Sequence, residues 1–236
     1  MQGKGGVGKT FAAVVLSQYL QSLGKEITCI DTDPVNQTFV GYEGLPVKEL
    51  VLMSKDNQIS SKNFDQLIEW ITESPDEVVV DNGASSFVPL SNYLAKNKVL
   101  DFLKIQNIEV IIHTVIAGSQ SLKDTLNGFM QLLDLFGSQV KFAVWINPLW
   151  GPVEHEGQTF EDMPIYKKYS QQIATLVYLP TYDADLFGAD LSDLLRDKKT
   201  FDEGIKDPER FLMCRQRLTM IKRDMFNMLD NALGAL

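Results

Sequence analysis

Cysteine is nearly missing from this chain: Cys29 and Cys214 are the two in 236 residues. Two distant thiols make no disulfide framework, and they lack the thiolate pattern of an iron–sulfur cluster shared between subunits. A reducing, cytoplasmic setting is therefore expected. No apolar run reaches the roughly 18 residues that a membrane-spanning helix needs, and no secretory leader pattern is read at the start. Basic residues are also short. Lys and Arg number 22 against 31 Asp and Glu, for a net charge of −9, which excludes a broad nucleic-acid-binding face. Internal repeats, low-complexity segments and a linker between domains are absent as well. What remains, 44% hydrophobic and 22% charged residues, is ordinary for a globule long enough for one large α/β domain or two small ones.

The informative stretch is Gly3-Lys4-Gly5-Gly6-Val7-Gly8-Lys9-Thr10, which fits G-x-x-x-x-G-K-[ST]. Glycines permit positive φ and close backbone approach, so successive N–H groups can point at phosphate oxygens. Lys9 is placed to reach the β- and γ-phosphates, and the Thr10 hydroxyl to take a Mg²⁺ position. The run 11–23 is helical in character and ends at Gly24, which sets the loop at a helix N-terminus that favours an anion. Such a loop ordinarily follows a buried central strand, and Met1 and Gln2 alone precede Gly3 here. The expectation is that this first central strand is missing from the chain as given, its residues lying upstream; a strand supplied by another segment is the alternative.

Downstream, 26–30 reads as a strand ending in Asp31-Thr32-Asp33-Pro34, where ligands bind in open α/β sheets, or as a strand closed by an Asx turn. A short helix is expected around 47–53 within an aperiodic segment spanning 35–61. An amphipathic helix is expected over 63–71. The strand 77–80 runs into Asp81, the Walker B arrangement for holding Mg²⁺ directly or through water, and Gly83 follows in a loop able to sense a γ-phosphate. Helices over 87–103 and 118–136 flank a buried strand at 109–115, and a further strand at 140–146 ends in Asn147-Pro148. The region 148–170 is too long for an ordinary connection. It gathers Trp150, Glu154, His155, Glu156, Glu161 and Asp162, and reads as an insertion-like loop for docking a partner rather than as a metal site. The last strand, 174–179, leads into Pro180-Thr181-Tyr182, followed by a helix over 183–196. The closing helix, within 208–232, spaces Phe211, Cys214, Leu218, Ile221, Met225 and Met228 as one apolar seam beside several Arg and Lys. It closes the core, or else lies on a membrane surface or a partner helix.

Lys4, a second lysine inside the loop, carries a resemblance. KGGVGKT resembles the deviant Walker A of the MinD/ParA family of dimerising ATPases. QGKGGVGKT, IDTDPVNQTF, VVVDNGASSFVPLSNYL, HTVIAGSQSLKDTLNGF and WINPLWGPVEHEG extend the likeness over nearly the whole chain, to members of that family carried by plasmid conjugation systems. The resemblance implies a single three-layer α/β/α P-loop domain over 1–236 with a mostly parallel sheet. It implies ATP and Mg²⁺ as ligands, and an ATP-dependent homodimer in which Lys4 reaches the partner's nucleotide; a solvated loop lysine is the alternative. Gly3, Gly5, Gly6, Val7, Gly8, Lys9 and Thr10 would hold the phosphates. Asp33 would position the attacking water, with Asp31 near the Mg²⁺ shell beside Thr10 and Asp81. Gly83 would belong to switch II, although DNGASSF stands where the family more often has a proline. Asn147 would read the adenine edge, or simply start a turn before Pro148, and Pro180 would lie over the base. The implied activity is a slow, dimer-dependent ATPase switch in conjugal transfer, with a protein partner in the conjugation apparatus. A nucleotide-regulated assembly factor with negligible hydrolysis and a small-molecule kinase or ligase are the competing readings. Peripheral contact with the inner membrane through the last helix is the weaker option.

Overall fold

The computed structural model describes residues 1, 3–54, 58–137 and 139–234. In chain order the elements are α1 (Lys9–Ser22), β1 (Ile27–Asp31), β2 (Val47–Glu49), α2 (Phe64–Glu73), β3 (Glu77–Asp81), α3 (Phe87–Lys96), α4 (Val99–Ile105), β4 (Ile111–Ala117), α5 (Leu122–Phe136) and β5 (Lys141–Asn147). Then come β6 (Glu154–His155), β7 (Gln158–Thr159), α6 (Pro164–Tyr169), β8 (Ile173–Tyr178), α7 (Phe187–Arg196), α8 (Phe201–Lys206) and α9 (Leu212–Leu233).

Two parallel half-sheets, in the orders β2-β1-β3 and β4-β5-β8, carry the fold. Alternation along their strands decides which layer each residue feeds. Cys29 and Val79 in one half, and Val115, Ala117, Trp145 and Val177 in the other, pack against α1 and the α7–α9 group. Ile30 and Ile112, Ile116, Val144 and Ile146 face the opposite layer, built from α2 to α6. Both faces of the strands are therefore buried, which gives the near-continuous apolar runs that parallel sheets require. Among the described residues no ladder joins the two halves. Met1 lies between them, its amino group donating to the His113 carbonyl and its side chain packed against the cores of both.

Local chemistry explains the boundaries. Helix α1 starts behind Gly8 and stops at Gly24, whose φ of 77° supports a turn in which Lys25 N–H donates to Leu20 C=O at 3.2 Å. The expected helix over 47–53 is not formed: Val47 to Glu49 instead add a parallel edge strand to β1, Cys29 pairing with Val47. Part of the surface segment expected over 35–61, residues 55–57, lies outside the described residues. The helix expected over 87–103 breaks at Lys98, which takes φ 51° between α3 and α4. The region 148–170 is not plain loop but holds the β6–β7 hairpin and α6. Helix α8 was not anticipated, and α9 starts at Leu212 rather than 208. Within α9 the seam residues Cys214, Leu218, Ile221 and Met225, joined by Leu229, enter the core, whereas Phe211 stands 88% exposed outside it. No helix among the described residues is long and apolar enough to cross a membrane.

Candidate functional site

The C-terminal ends of β1, β3, β4, β5 and β8 converge on the loop before α1. Val7, fully buried, pins that loop to the core, while Gly6 (φ 72°) and Gly8 (φ 101°) turn it through conformations that side chains resist. The first helical bond runs from Ala12 N–H to Gly8 C=O at 2.9 Å. The backbone N–H groups of Gly5, Gly6, Gly8 and Lys9 donate to no protein acceptor among the described residues. Backbone donors left unmatched around a glycine turn at a helix N-terminus are the chemistry of an anion cradle. Nζ of Lys9 folds back over the cradle and donates to the Lys4 carbonyl at 2.7 Å. Burial holds this ammonium below its usual range, and Asp81 and Asp33 oppose that shift.

Thr10 and Asp81 meet behind Lys9, the Thr10 hydroxyl donating to Asp81 Oδ2 at 2.6 Å. Asp81 is buried, and burial pushes its carboxyl up to about 6, with the Thr10 hydrogen bond pulling down and Asp31 pushing further up. The Lys9 ammonium and the Met1 amino group offset part of that rise, and the Thr10 hydroxyl and Asp81 carboxylate together offer the oxygen donors that a hard divalent cation such as Mg²⁺ takes.

Asp31 lies beside Asp81 in the β1–β3 register, and its own carboxylate is tied into the loop that follows. It is 1% exposed, and both its oxygens are taken by backbone. Oδ1 accepts from Asp33 N–H at 2.9 Å, and Oδ2 accepts from Phe39 and Val40 N–H at 3.1 and 3.2 Å. These bonds hold the 31–40 loop closed. Asp33 lies over Gly83, where a Cβ would stand 2.3 Å from its carboxyl carbon. Gly83 is thus the residue that lets Asp33 approach. Its carbonyl accepts from Asn82 Nδ2 and Ser86 Oγ at 3.0 and 3.1 Å.

Lys4 points away from Lys9 and pairs with Asp124 of α5 at 2.9 Å, both side chains well exposed. Asn147 is buried beneath the loop, donating to Val7 C=O at 2.9 Å and accepting from Leu149 N–H at 3.0 Å. Pro180 follows the end of β8, the strand beside β5, with Ile146 paired to Tyr178. Beyond it the Tyr182 ring stacks on Phe187 at 6.0 Å, and its buried hydroxyl has no partner among the described residues. Gly3 approaches the Phe87 ring, its would-be Cβ 3.2 Å from Cδ1. Asp124 went unassigned by the sequence, and Trp150 was read as part of the partner-docking region 148–170 rather than as a neighbour of the phosphate loop. Asp124 sits 120 residues from Lys4 with no local signal, whereas Trp150, close behind Asn147-Pro148, carried one.

A glycine cradle at the head of α1, with the Lys9 ammonium folded over it and the Thr10 hydroxyl and buried Asp81 carboxylate behind, defines a P-loop nucleotide-binding protein. Residues 1–202 match the family described as the CobQ/CobB/MinD/ParA nucleotide binding domain, and the chain belongs to that family. It is similar to Protein TraL of Escherichia coli, 46% identical over 232 residues that cover 98% of this chain and 96% of that one. A second Escherichia coli Protein TraL is 44% identical over the same shares. Among solved structures, the MinD cell division protein of Aquifex aeolicus shares the fold at a TM-score of 0.50 and 18% identity, covering 96% of this chain and 95% of that one.

Proposed function

We propose that this chain, as one nucleotide-binding unit over 1–236, is a cytoplasmic ATP-dependent dimerisation switch that hydrolyses ATP slowly and serves plasmid conjugal transfer. The observation that carries the reading is the set of unmatched N–H groups of Gly5, Gly6, Gly8 and Lys9 around a lysine-bearing turn. Backbone donors and the Lys9 ammonium bind the β- and γ-phosphates. Thr10 and Asp81 would hold Mg²⁺, which supplies positive charge to the phosphate oxygens when bound. Asp33 orients water over Gly83. Lys4, freed from Asp124, enters the site of a second copy; positive charge delivered in trans supplies ~10³–10⁵ in rate. The exposed Lys4–Asp124 pair is worth at most about 1 kcal/mol, so releasing it costs little. The 148–170 region, with its exposed β6–β7 hairpin, would dock a protein partner of the conjugation apparatus.

A second reading is a binding switch with negligible turnover. It is favoured by Asp33 Oδ1, which already accepts from Val35 and Asn36 N–H at 2.9 and 3.1 Å. Oligomer mass and ATP affinity, measured with and without Mg²⁺ and with a non-hydrolysable analogue, test both. A mass that doubles with ATP·Mg²⁺ supports a switch, and phosphate release separates the two. A chain that stays monomeric and ignores ATP at saturating Mg²⁺ refutes both.

A further inference from the structure

The turn after β5 reaches back to two successive carbonyls of the phosphate loop. Nδ2 of Asn147 donates to Val7 C=O at 2.9 Å, and Nε1 of Trp150 donates to Gly6 C=O at 3.4 Å. The turn is itself braced. Gly151 N–H donates to Pro148 C=O at 2.9 Å, and the Ser119 hydroxyl donates to the Trp150 carbonyl. Backbone meets backbone at this brace, since a Cβ on Gly118 would stand 2.1 Å from the Gly151 oxygen. Nδ2 of Asn147 stands 2.8 Å from where a Gly8 Cβ would be.

In a trans peptide the C=O and N–H point to opposite sides, and none of the chain's described peptides is cis. Holding Val7 C=O from one side therefore aims the Gly8 N–H to the other. Trp150 holds the preceding peptide, through Gly6 C=O, and so fixes the turn that leads into Val7. We propose that Asn147 and Trp150 form a two-point clamp that presets the loop for a polyphosphate, so that Asn147 is a positioning residue acting on the phosphates through Val7 rather than a reader of the base. This rests on the reading above that the cradle binds a nucleoside triphosphate, and it names the part of that ligand the clamp serves.

The experiment is calorimetric titration of the full chain with ATP, GTP and inorganic tripolyphosphate, using wild type, Asn147→Ala and Trp150→Phe, each checked by thermal melting. Asn147→Ala strands a buried carbonyl, so affinity for ATP and for tripolyphosphate should fall by the same factor, on the order of tenfold. The ATP-to-GTP ratio should not move. Trp150→Phe keeps a ring at a position 57% exposed and removes the donor, so it reports even where Asn147→Ala folds poorly. It should lose a smaller factor, about two- to fivefold, equally on the same two ligands. Tripolyphosphate affinity unchanged in both variants overturns the clamp. So does a collapsed ATP-to-GTP ratio with tripolyphosphate unaffected, which would make Asn147 a base reader. Wild type that binds none of the three ligands overturns the proposed function and this inference together.

Discussion

Gly8 carries two constraints at once: a φ of 101° and an Asn147 amide where its Cβ would be. Gly8→Ala should therefore lower ATP affinity by about tenfold or more, because left-handed strain alone costs roughly 1–2 kcal/mol. Isothermal titration checks it, and unchanged affinity would mean the loop is not set as described. His113 offers a test away from the cradle. Its Nδ1 accepts from Trp145 Nε1 at 2.9 Å, and burial, the larger cause, together with the nearby Met1 amino group lowers its pKa to about 4, against about 6.5 in an unfolded chain. A neutral His113 thus favours the fold fully above about pH 6.5, and that contribution is lost as pH falls toward 4. It is on the order of 3 kcal/mol. Melting temperatures of His113→Gln should slope less steeply than wild type across that window; parallel slopes would refute the assignment. Residue chemistry of this kind was readable where it is contiguous, as in 3–10 and at Asp81. The backbone N–H groups of 33, 39 and 40 that Asp31 accepts from were not readable, because they reach it only once the loop folds back.

Helix α9 had three readings from its seam of apolar residues, and its packing chooses among them. Leu218 is fully buried against α8 and α7, so Leu218→Ala should destabilise the chain by about 2–5 kcal/mol, seen as a lower denaturation midpoint. A seam reserved for membrane or partner would leave the midpoint untouched. The strands and long helices of this fold were legible because hydrophobic periodicity repeats over enough residues to be counted. Strand β2 was not, since three residues carry no period and their pairing with β1 is a tertiary fact. Helix α8 did announce itself: Thr200 and Glu203 form a capping box, with Glu203 N–H donating to Thr200 Oγ1 at 3.3 Å and Thr200 N–H to Glu203 Oε2 at 2.8 Å. Its brevity hid it. The β6–β7 hairpin turns at Glu156 and Gly157, both at positive φ, a Gly-containing signal that a crowd of carboxylates obscured.

Across the whole molecule, loops from five strand ends meet at one edge and share the cradle. Thr32 ties the β1 end to Asp81 C=O through both its N–H and its hydroxyl, at 2.9 and 3.0 Å. Asp33 rests on Gly83, and the turn at 147–150 grips the cradle from the other half-sheet. A change at the phosphates would thus be felt at the loops carrying Asp33 and Gly83, the arrangement a ligand-gated switch needs. The proposed delivery of Lys4 between copies makes a demand that no single copy can meet, and it is tested by mixing. Lys4→Ala keeps its own Asp33 but offers no lysine to a partner; Asp33→Ala offers Lys4 but lacks the water-positioning carboxylate. Phosphate release is measured for each variant alone and for the two together, over a range of chain concentrations. The account predicts little turnover from either alone and recovered, concentration-dependent turnover in the mixture. A mixture that never exceeds the sum of its parts, or Lys4→Ala turning over as wild type does, would contradict it.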